Sequence, residues 1–500
     1  MTLQKTLPPA LLALLPSQVE GPKVWLVGGA VRDHFLQRQS FDLDFVVAGD
    51  ALSLARQIAD GLGGKYYNLD LERGAGRVLV PGSDGEEWVF DFARMRGSNL
   101  QEDLGYRDFT INALAFDPHN LDILIDPGNG LKDLRATLLR ACKPDAIQND
   151  PVRALRAVRI ASELEFRIEP NTVQQIKEAG PLLTHVSVER LRDEIFRMLD
   201  SQNPARSLRL LDHLRLFDVL FHEFYHHADG KTRPANKIEI TRQAFTVISR
   251  LGEIFQVLAP MHDPEAAAES TLGLIAIRLG RFRESLSDYL DKELSSGRTI
   301  RAWVLLGSLF SQYVNLGQCG DQDGSSEGSG RGSKTFAASA WSDRYNLSRR
   351  EKLWLDRFLH GHIPKFSEEN KSDNDLHIYR YFQQTQDAGA GLILCDLAHF
   401  LAGTEGPPSE ELWESRVNRG HPLLEAYFDR IDEVIDVDSL LDGEEITSEF
   451  NLKPGPMIGQ LLQRLVELQV AGKLKTRDQA VESVREILAS KSGKGGESLQ

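Results

Sequence analysis

Two carboxylates, Asp42 and Asp44, stand two residues apart in the β-rich run Phe41 to Val47, so the alternation of a strand puts both on one face. Side by side they repel, and oxygen ligands on a rigid strand suit a hard divalent cation such as Mg²⁺. Just ahead of them an apolar run, Val24 to Val27, stops at Gly28-Gly29, and a helical stretch opens at Ala30. Glycine lets a backbone approach a phosphate closely, and a helix start offers N–H groups to an anion. Either half alone has an ordinary reading, as a turn or as a solvated strand face. Carboxylates for a metal beside a glycine turn for phosphate imply nucleotidyl transfer.

Several elements must hold these groups in place. Ala51 to Leu62 reads as a helix ended by Gly63-Gly64. Arg77 to Val80 and Trp88 to Phe92 read as a hairpin around Pro81 to Gly85, with Asp91 on its second strand. Asp91 is either a third metal carboxylate or a solvent-facing one. Further on, Asn149 to Phe166 has high helix propensity, with Asp150 as a plausible N-cap and Pro151 at the first helical position. Arg153, Arg156 and Arg159 climb one side of that helix.

The pattern GGAVRD followed by DLD resembles the signature of the class II tRNA nucleotidyltransferase and bacterial poly(A) polymerase family. Glu102 to Phe116, EDLGYRDFTINALAF, resembles that family's second motif, in which Arg107, Asp108 and Asn112 match and Tyr106 stands where an arginine is usual; Arg94 or Arg96 could supply the charge instead. Asp126 to Leu134, DPGNGLKDL, resembles the third motif and reads as a structural turn. NDPVRALRAVR resembles the neck motif, with Asn149 in place of its glutamate, and SVERLRDE resembles the motif after it, where Arg190 and Glu194 are spaced to pair and brace the neck.

The resemblance implies an α+β fold: a nucleotidyltransferase head with a mixed β-sheet and helices, followed by an all-α neck, body and tail. It implies Asp42 and Asp44 as catalytic metal ligands for Mg²⁺. It places Gly29, Arg32, Arg107, Arg156 and Arg159 on nucleotide phosphates, a role suited to guanidinium forks. Asp150 and Arg153 become a protein template for the base: cytosine offers an amino donor to a carboxylate and acceptors to a guanidinium. Members that add all of CCA carry a longer flexible loop between the positions of Asp91 and Arg107. Here Gly97-Ser98-Asn99 and a few neighbours fill the interval, as in the specialised enzymes that add only the two cytidines.

Composition sets limits. Five hundred residues suggest several domains, and 41% hydrophobic with 26% charged residues is an ordinary globular balance. A net charge of -15 excludes a sequence-blind nucleic-acid coat, so any such surface is local. Three scattered cysteines argue against a disulfide framework or zinc cluster and fit a reducing cytoplasm, and no apolar run is long enough to span a bilayer.

The expected organisation is a head over 1–142, a neck over 143–200, a helical body over 201–316, a Gly/Ser-rich disordered loop over 317–335, a helical tail contacting tRNA over 336–490 and a frayed end over 491–500. His222, His226, His227 and Asp229 read as surface groups, not a phosphohydrolase site, and Gly455, Pro456 and Gly459 resemble the family's C-terminal turn. The expected activity is addition of cytidines to the tRNA 3′ end from CTP, with ATP use and full CCA as the extension. A poly(A) polymerase and a non-catalytic RNA-binding scaffold are the rivals, and oligomeric state is left open.

Overall fold

The structure is a computed structural model describing residues 7–17, 22–82, 85–225, 237–261, 270–315, 338–366, 371–404 and 406–494. It divides into two compact units, one of residues 1–195 with 209–220, the other of 196–208 with 221–500.

The first unit is built on a seven-stranded sheet. Its strands are β1 (Lys23–Val27), β2 (Asp42–Ala48), β3 (Lys65–Asp70), β4 (Ala75–Pro81), β5 (Glu87–Arg94), β6 (Ala115–Asp117) and β7 (Asn120–Ile125), in the order β3-β4-β5-β2-β1-β6-β7. Neighbours run antiparallel except β2 and β5, which are parallel, so the sheet is mixed. The expected hairpin forms as β4 and β5, although part of its turn lies outside the described residues.

Alternation along the strands sorts side chains to two faces. Leu43, Phe45 and Val47 of β2, Phe90 and Phe92 of β5 and Val78 of β4 enter the larger core. Helices α1 (Pro9–Leu14) and α3 (Ala51–Leu62) cover that core with Leu11, Leu54, Ala55 and Ile58. Asp50 caps α3 through a 3.1 Å bond from the Ser53 N–H, and Gly63 ends it at φ +64°, as the glycine pair predicts.

The opposite face is apolar for only part of its length. Val27, Val46 and Ala115 meet Leu100 and Leu104 of α4 (Leu100–Gly105) there. Asp42 and Asp44 precede Val46 on this face, and Asp91, between Phe90 and Phe92, joins them. Helix α2 (Gly29–Phe35) follows β1 directly. Beyond the sheet, α5 (Gly130–Arg135), α6 (Ala146–Asn149), α7 (Arg153–Glu163), α8 (Pro170–Ala179) and α9 (Val188–Leu199) complete the series that positions the site. Asp126 accepts from the N–H groups of Gly130 and Leu131, which fits the structural turn read from DPGNG.

The second unit is helical apart from the two-stranded ribbon Glu293–Ser295 and Arg298–Thr299 among its described residues. Trp303, Trp341, Tyr345 and Phe310 are fully buried. Its helices include Arg349–His360, Lys371–Thr385 and Ala388–Ala402. Pro456–Val470 starts at the Gly-Pro turn, and its Leu461 and Leu465 share a small core with Leu441, Ile446, Ala480 and Val484. His226, His227, Asp229, the Gly/Ser-rich stretch and residues 495–500 lie outside the described residues.

Candidate active site

Pleat and register bring three carboxylates together. Asp44 pairs with Asp91 across the parallel β2–β5 ladder, and oxygens of Asp42, Asp44 and Asp91 lie within 4.8 Å of one another. Burial pushes the Asp44 carboxyl up to about 6; Arg107 opposes the shift, Asp42 and Asp91 add to it, and Arg156 opposes it more weakly. So much negative charge around one carboxylate is a fit for a hard divalent cation.

Asp91 has a cation of its own. Arg77, its cross-strand partner, donates from Nε and Nη2 to the two carboxylate oxygens at 2.8 and 2.7 Å. Sequence reasoning missed Arg77, although the pairing follows once the β4–β5 hairpin is put in register.

The glycine turn closes over this group. Gly28 adopts φ +78°, and a Cβ there would sit 2.5 Å from Asp44 Oδ2 and 3.3 Å from Arg107 Nη1. Glycine is therefore required by close approach as well as by φ. Gly29, the expected phosphate contact, is the first residue of α2, and a Cβ there would meet nothing nearer than Arg32 Nη2 at 3.6 Å. Gly28 is thus the sterically demanding member of the pair.

Arg107 stands beside Asp44 with 23% of its side chain exposed; its Nε is 3.8 Å from Asp103 and has no hydrogen-bond partner among the described residues. A mostly buried guanidinium beside the carboxylates suits a phosphate. Arg32 is more committed: it donates to Asn112 Oδ1 at 2.8 Å and, from Nε and Nη2, to Asp33 at 2.9 and 3.0 Å.

Asn112 carries the chain onward to Asp108 at 3.1 Å, and Arg156 Nε donates to Asp108 at 2.9 Å. Burial pushes the Asp108 carboxyl up. Arg156, the Asn112 amide and the Phe109 N–H outweigh it and hold the group below its usual range. One network thus ties α2, the Arg107 motif and α7 together.

The three arginines of α7 have separate fates. Arg153 donates to the carbonyls of Tyr106 at 2.7 Å, Arg107 at 3.1 Å and Ala146 at 3.3 Å, while its Nε lies 3.7 Å from Asp150. Arg156 lies close enough to Asp44 to hold its carboxyl down. Arg159 gives Nε to Glu194 at 2.9 Å and Nη1 to Glu163 at 3.2 Å.

Asp150 departs from its expected capping role. Helix α7 begins at Arg153 after Val152, which has no side-chain acceptor to cap it, and the Asp150 carboxylate is taken by Arg190 at 2.9 Å. The expected Arg190–Glu194 brace becomes a link between elements: Arg190 reaches Asp150 and Glu194 reaches Arg159. A cavity of about 360 Å³ opens here, lined by Tyr106, Lys143, Asp150, Arg153 and Arg190 among others. Arg96 lines it too, whereas the Arg94 N–H bonds the Gly74 carbonyl.

Fold and site together define a nucleotidyltransferase head joined to helical elements. Residues 24–140 match the family model of the poly A polymerase head domain, and residues 165–226 match that of a probable RNA and SrmB-binding site of polymerase A. A CC-adding tRNA nucleotidyltransferase of Geobacter sulfurreducens is 44% identical over 192 residues, which is 38% of this chain and 44% of that protein. A CC-adding tRNA nucleotidyltransferase of Synechocystis is 27% identical over 95% of both chains. A CCA-adding enzyme solved with ATP has the same fold, with a TM-score of 0.57 at 21% identity and 97% of each chain covered. Over residues 24–140 and 165–226 the chain is thus similar to the class II tRNA nucleotidyltransferase and bacterial poly(A) polymerase family. Among the described residues, no helix is long and apolar enough to cross a membrane.

Proposed function

We propose that this protein is an enzyme adding cytidines to the 3′ end of tRNA from CTP, releasing pyrophosphate and stopping after CC. The observation that carries the reading is the juxtaposition at Tyr106-Arg107: Arg107 stands beside Asp44, and Tyr106 lines the cavity that holds Asp150 and Arg153. A nucleotide with its base in that cavity and its phosphates at Arg107 presents its α-phosphorus to the carboxylates.

Asp42 and Asp44 would hold Mg²⁺, with Asp91 beside them and paired with Arg77. A metal held there would make the primer 3′-hydroxyl a better nucleophile and offset the charge of the leaving pyrophosphate. Arg107 binds phosphate oxygens, and Gly28 keeps the turn close enough for that approach. Asp150 accepts from the cytosine amino group, and Arg153, whose Nη2 keeps a second hydrogen beyond the one given to Tyr106, donates to a ring acceptor. Arg32, Arg156 and Arg159 act as positioning residues that lock α2 and α7 through Asn112, Asp108 and Glu194. The work takes place in the cytoplasm, and tRNA is read by the shape of its acceptor arm.

The stop after CC rests on the link from β5 to α4. Its residues Met95 to Asn99 are pinned: Met95 N–H to Val47 carbonyl at 2.9 Å, Arg96 N–H to Asp103 at 2.8 Å, and Ser98 N–H to Glu102 at 2.8 Å. Gly97 is fixed as well, at φ +76° with Glu102 against it. Moving from cytosine to adenine requires the pocket to change size and bonding pattern, and a pinned connection gives no lever for that change. Transcripts of tRNA ending before CCA, after C and after CC, offered CTP and ATP separately, test the proposal. Cytidine should enter the first two, and AMP addition to the third at a comparable rate would refute the stop.

A further inference from the structure

The base cavity holds an aromatic surface in an unusual setting. Tyr106 is 45% exposed, lines the cavity, and stands where the motif it belongs to usually has an arginine. Lys143 Nζ lies over its ring, 3.9 Å from the centroid. The ring and the ammonium together put a cation back at that position and add a flat apolar face that an arginine carries only in part.

The root of the ring is fixed from several sides. The Tyr106 N–H bonds the Asp103 carbonyl at 3.0 Å as α4 ends, and its carbonyl accepts from Arg153 Nη2 at 2.7 Å. The Lys143 ammonium attracts the ring's negative face and limits its rotation. An exposed ring held this firmly, beside a carboxylate and a guanidinium that can read a base edge, is arranged as a stacking platform.

We propose that Tyr106 stacks against the base of the incoming nucleotide, with Lys143 fixing the ring from its other side; the inference rests on the nucleotidyl-transfer reading and identifies the substrate part that this surface takes. Every base has a π face, so stacking adds affinity without choosing between bases. Choice stays with Asp150. Loss of Tyr106 should therefore weaken CTP and ATP alike, where loss of Asp150 changes their ratio.

The test is equilibrium binding to the full chain with Mg²⁺ and no tRNA, using CTP, ATP and inorganic tripolyphosphate as probes. Tyr106→Ala should weaken CTP and ATP by about 5- to 150-fold, the loss of one base–aromatic stack, while Tyr106→Phe stays within about twofold of wild type. Tripolyphosphate, which has no base, should bind both variants as it binds wild type. Wild-type CTP affinity in Tyr106→Ala, an equal loss of CTP and tripolyphosphate, or a Tyr106→Phe defect as large as that of Tyr106→Ala would each overturn the proposal. Cytidine incorporation by the wild type separates the two levels: if it is present while Tyr106→Ala keeps the wild-type KM for CTP, only the stacking role fails. If the wild type neither binds CTP nor incorporates cytidine, the functional reading fails with it.

Discussion

Asp44 and Asp108 lie in the same unit, share Arg156 as a neighbour, and titrate in opposite directions. Asp44 is pushed up to about 6 because burial and two facing carboxylates outweigh Arg107 and Arg156. Asp108 is held down although it is buried, because a guanidinium, an amide and a backbone N–H all donate to it or attract it. The difference separates a group prepared for chemistry from one built for architecture. Charge left uncompensated in the protein alone is compensated by what the site binds; charge fully paired holds elements together.

The contrast is broken most directly by substitution. Asp42→Asn or Asp44→Asn should lower nucleotide incorporation by roughly 1,000-fold or more, since on the proposed reading each would remove a ligand of the metal that offsets transition-state charge. Thermal stability should not fall, because repulsion is relieved. Loss of stability in parallel with activity would mean that these carboxylates are structural after all.

Metal-free stability against pH sharpens the same contrast. A folded-state pKa of about 6, above the ordinary carboxylate range, means that Asp44 destabilises the fold once ionised. Asp44→Asn should therefore exceed wild type by about 2 kcal/mol at neutral pH, the shift being discounted for partial exposure, and the advantage should shrink as pH falls through 6 toward 4. Asp108, held below its usual range, has the reverse sign: its contribution is complete above the unfolded carboxylate range and is lost as pH falls through its folded pKa. Denaturant unfolding in chelator measures the Asp44 change between pH 4 and pH 8 and the Asp108 change below pH 4.

Asp108→Asn should cost roughly 2–3 kcal/mol of stability, below the range for a fully buried pair because Arg156 keeps 37% of its side chain exposed. Activity should fall with stability and recover partly on cooling, which Asp44→Asn should not do. Differential scanning calorimetry with a parallel incorporation assay distinguishes the two. An effect of similar size is expected in base choice: Asp150→Ala should reduce the preference for CTP over ATP by about 1.5–3 kcal/mol, the worth of one bond to a charged group. Arg159→Ala should leave that preference unchanged. A changed ratio there would give Arg159 a part in base recognition that bracing does not explain.

Much of this was legible along the chain. The two-residue period of a strand alone puts Asp42 and Asp44 on one face, and the glycine pair at Gly63 marks the end of α3. These are local effects, set by the pleat and by groups a turn apart. The positions of Asp91, Arg77 and the arginines of α7 are of another kind. Whether Asp91 faces solvent or Asp44 depends on the parallel β2–β5 register, which the packing of Phe45 on Phe92 fixes across a long crossover. Three arginines at equal spacing look alike in one dimension, yet one binds carbonyls, one Asp108 and one Glu194, because different elements pack against successive turns of α7. Asp150 reads as a helix cap until α9 brings Arg190 within 2.9 Å. The sequence by itself determined which residues could do the chemistry and which strand and helices carry them; tertiary structure decided which charges remain uncompensated, because compensation comes from partners far away in the chain.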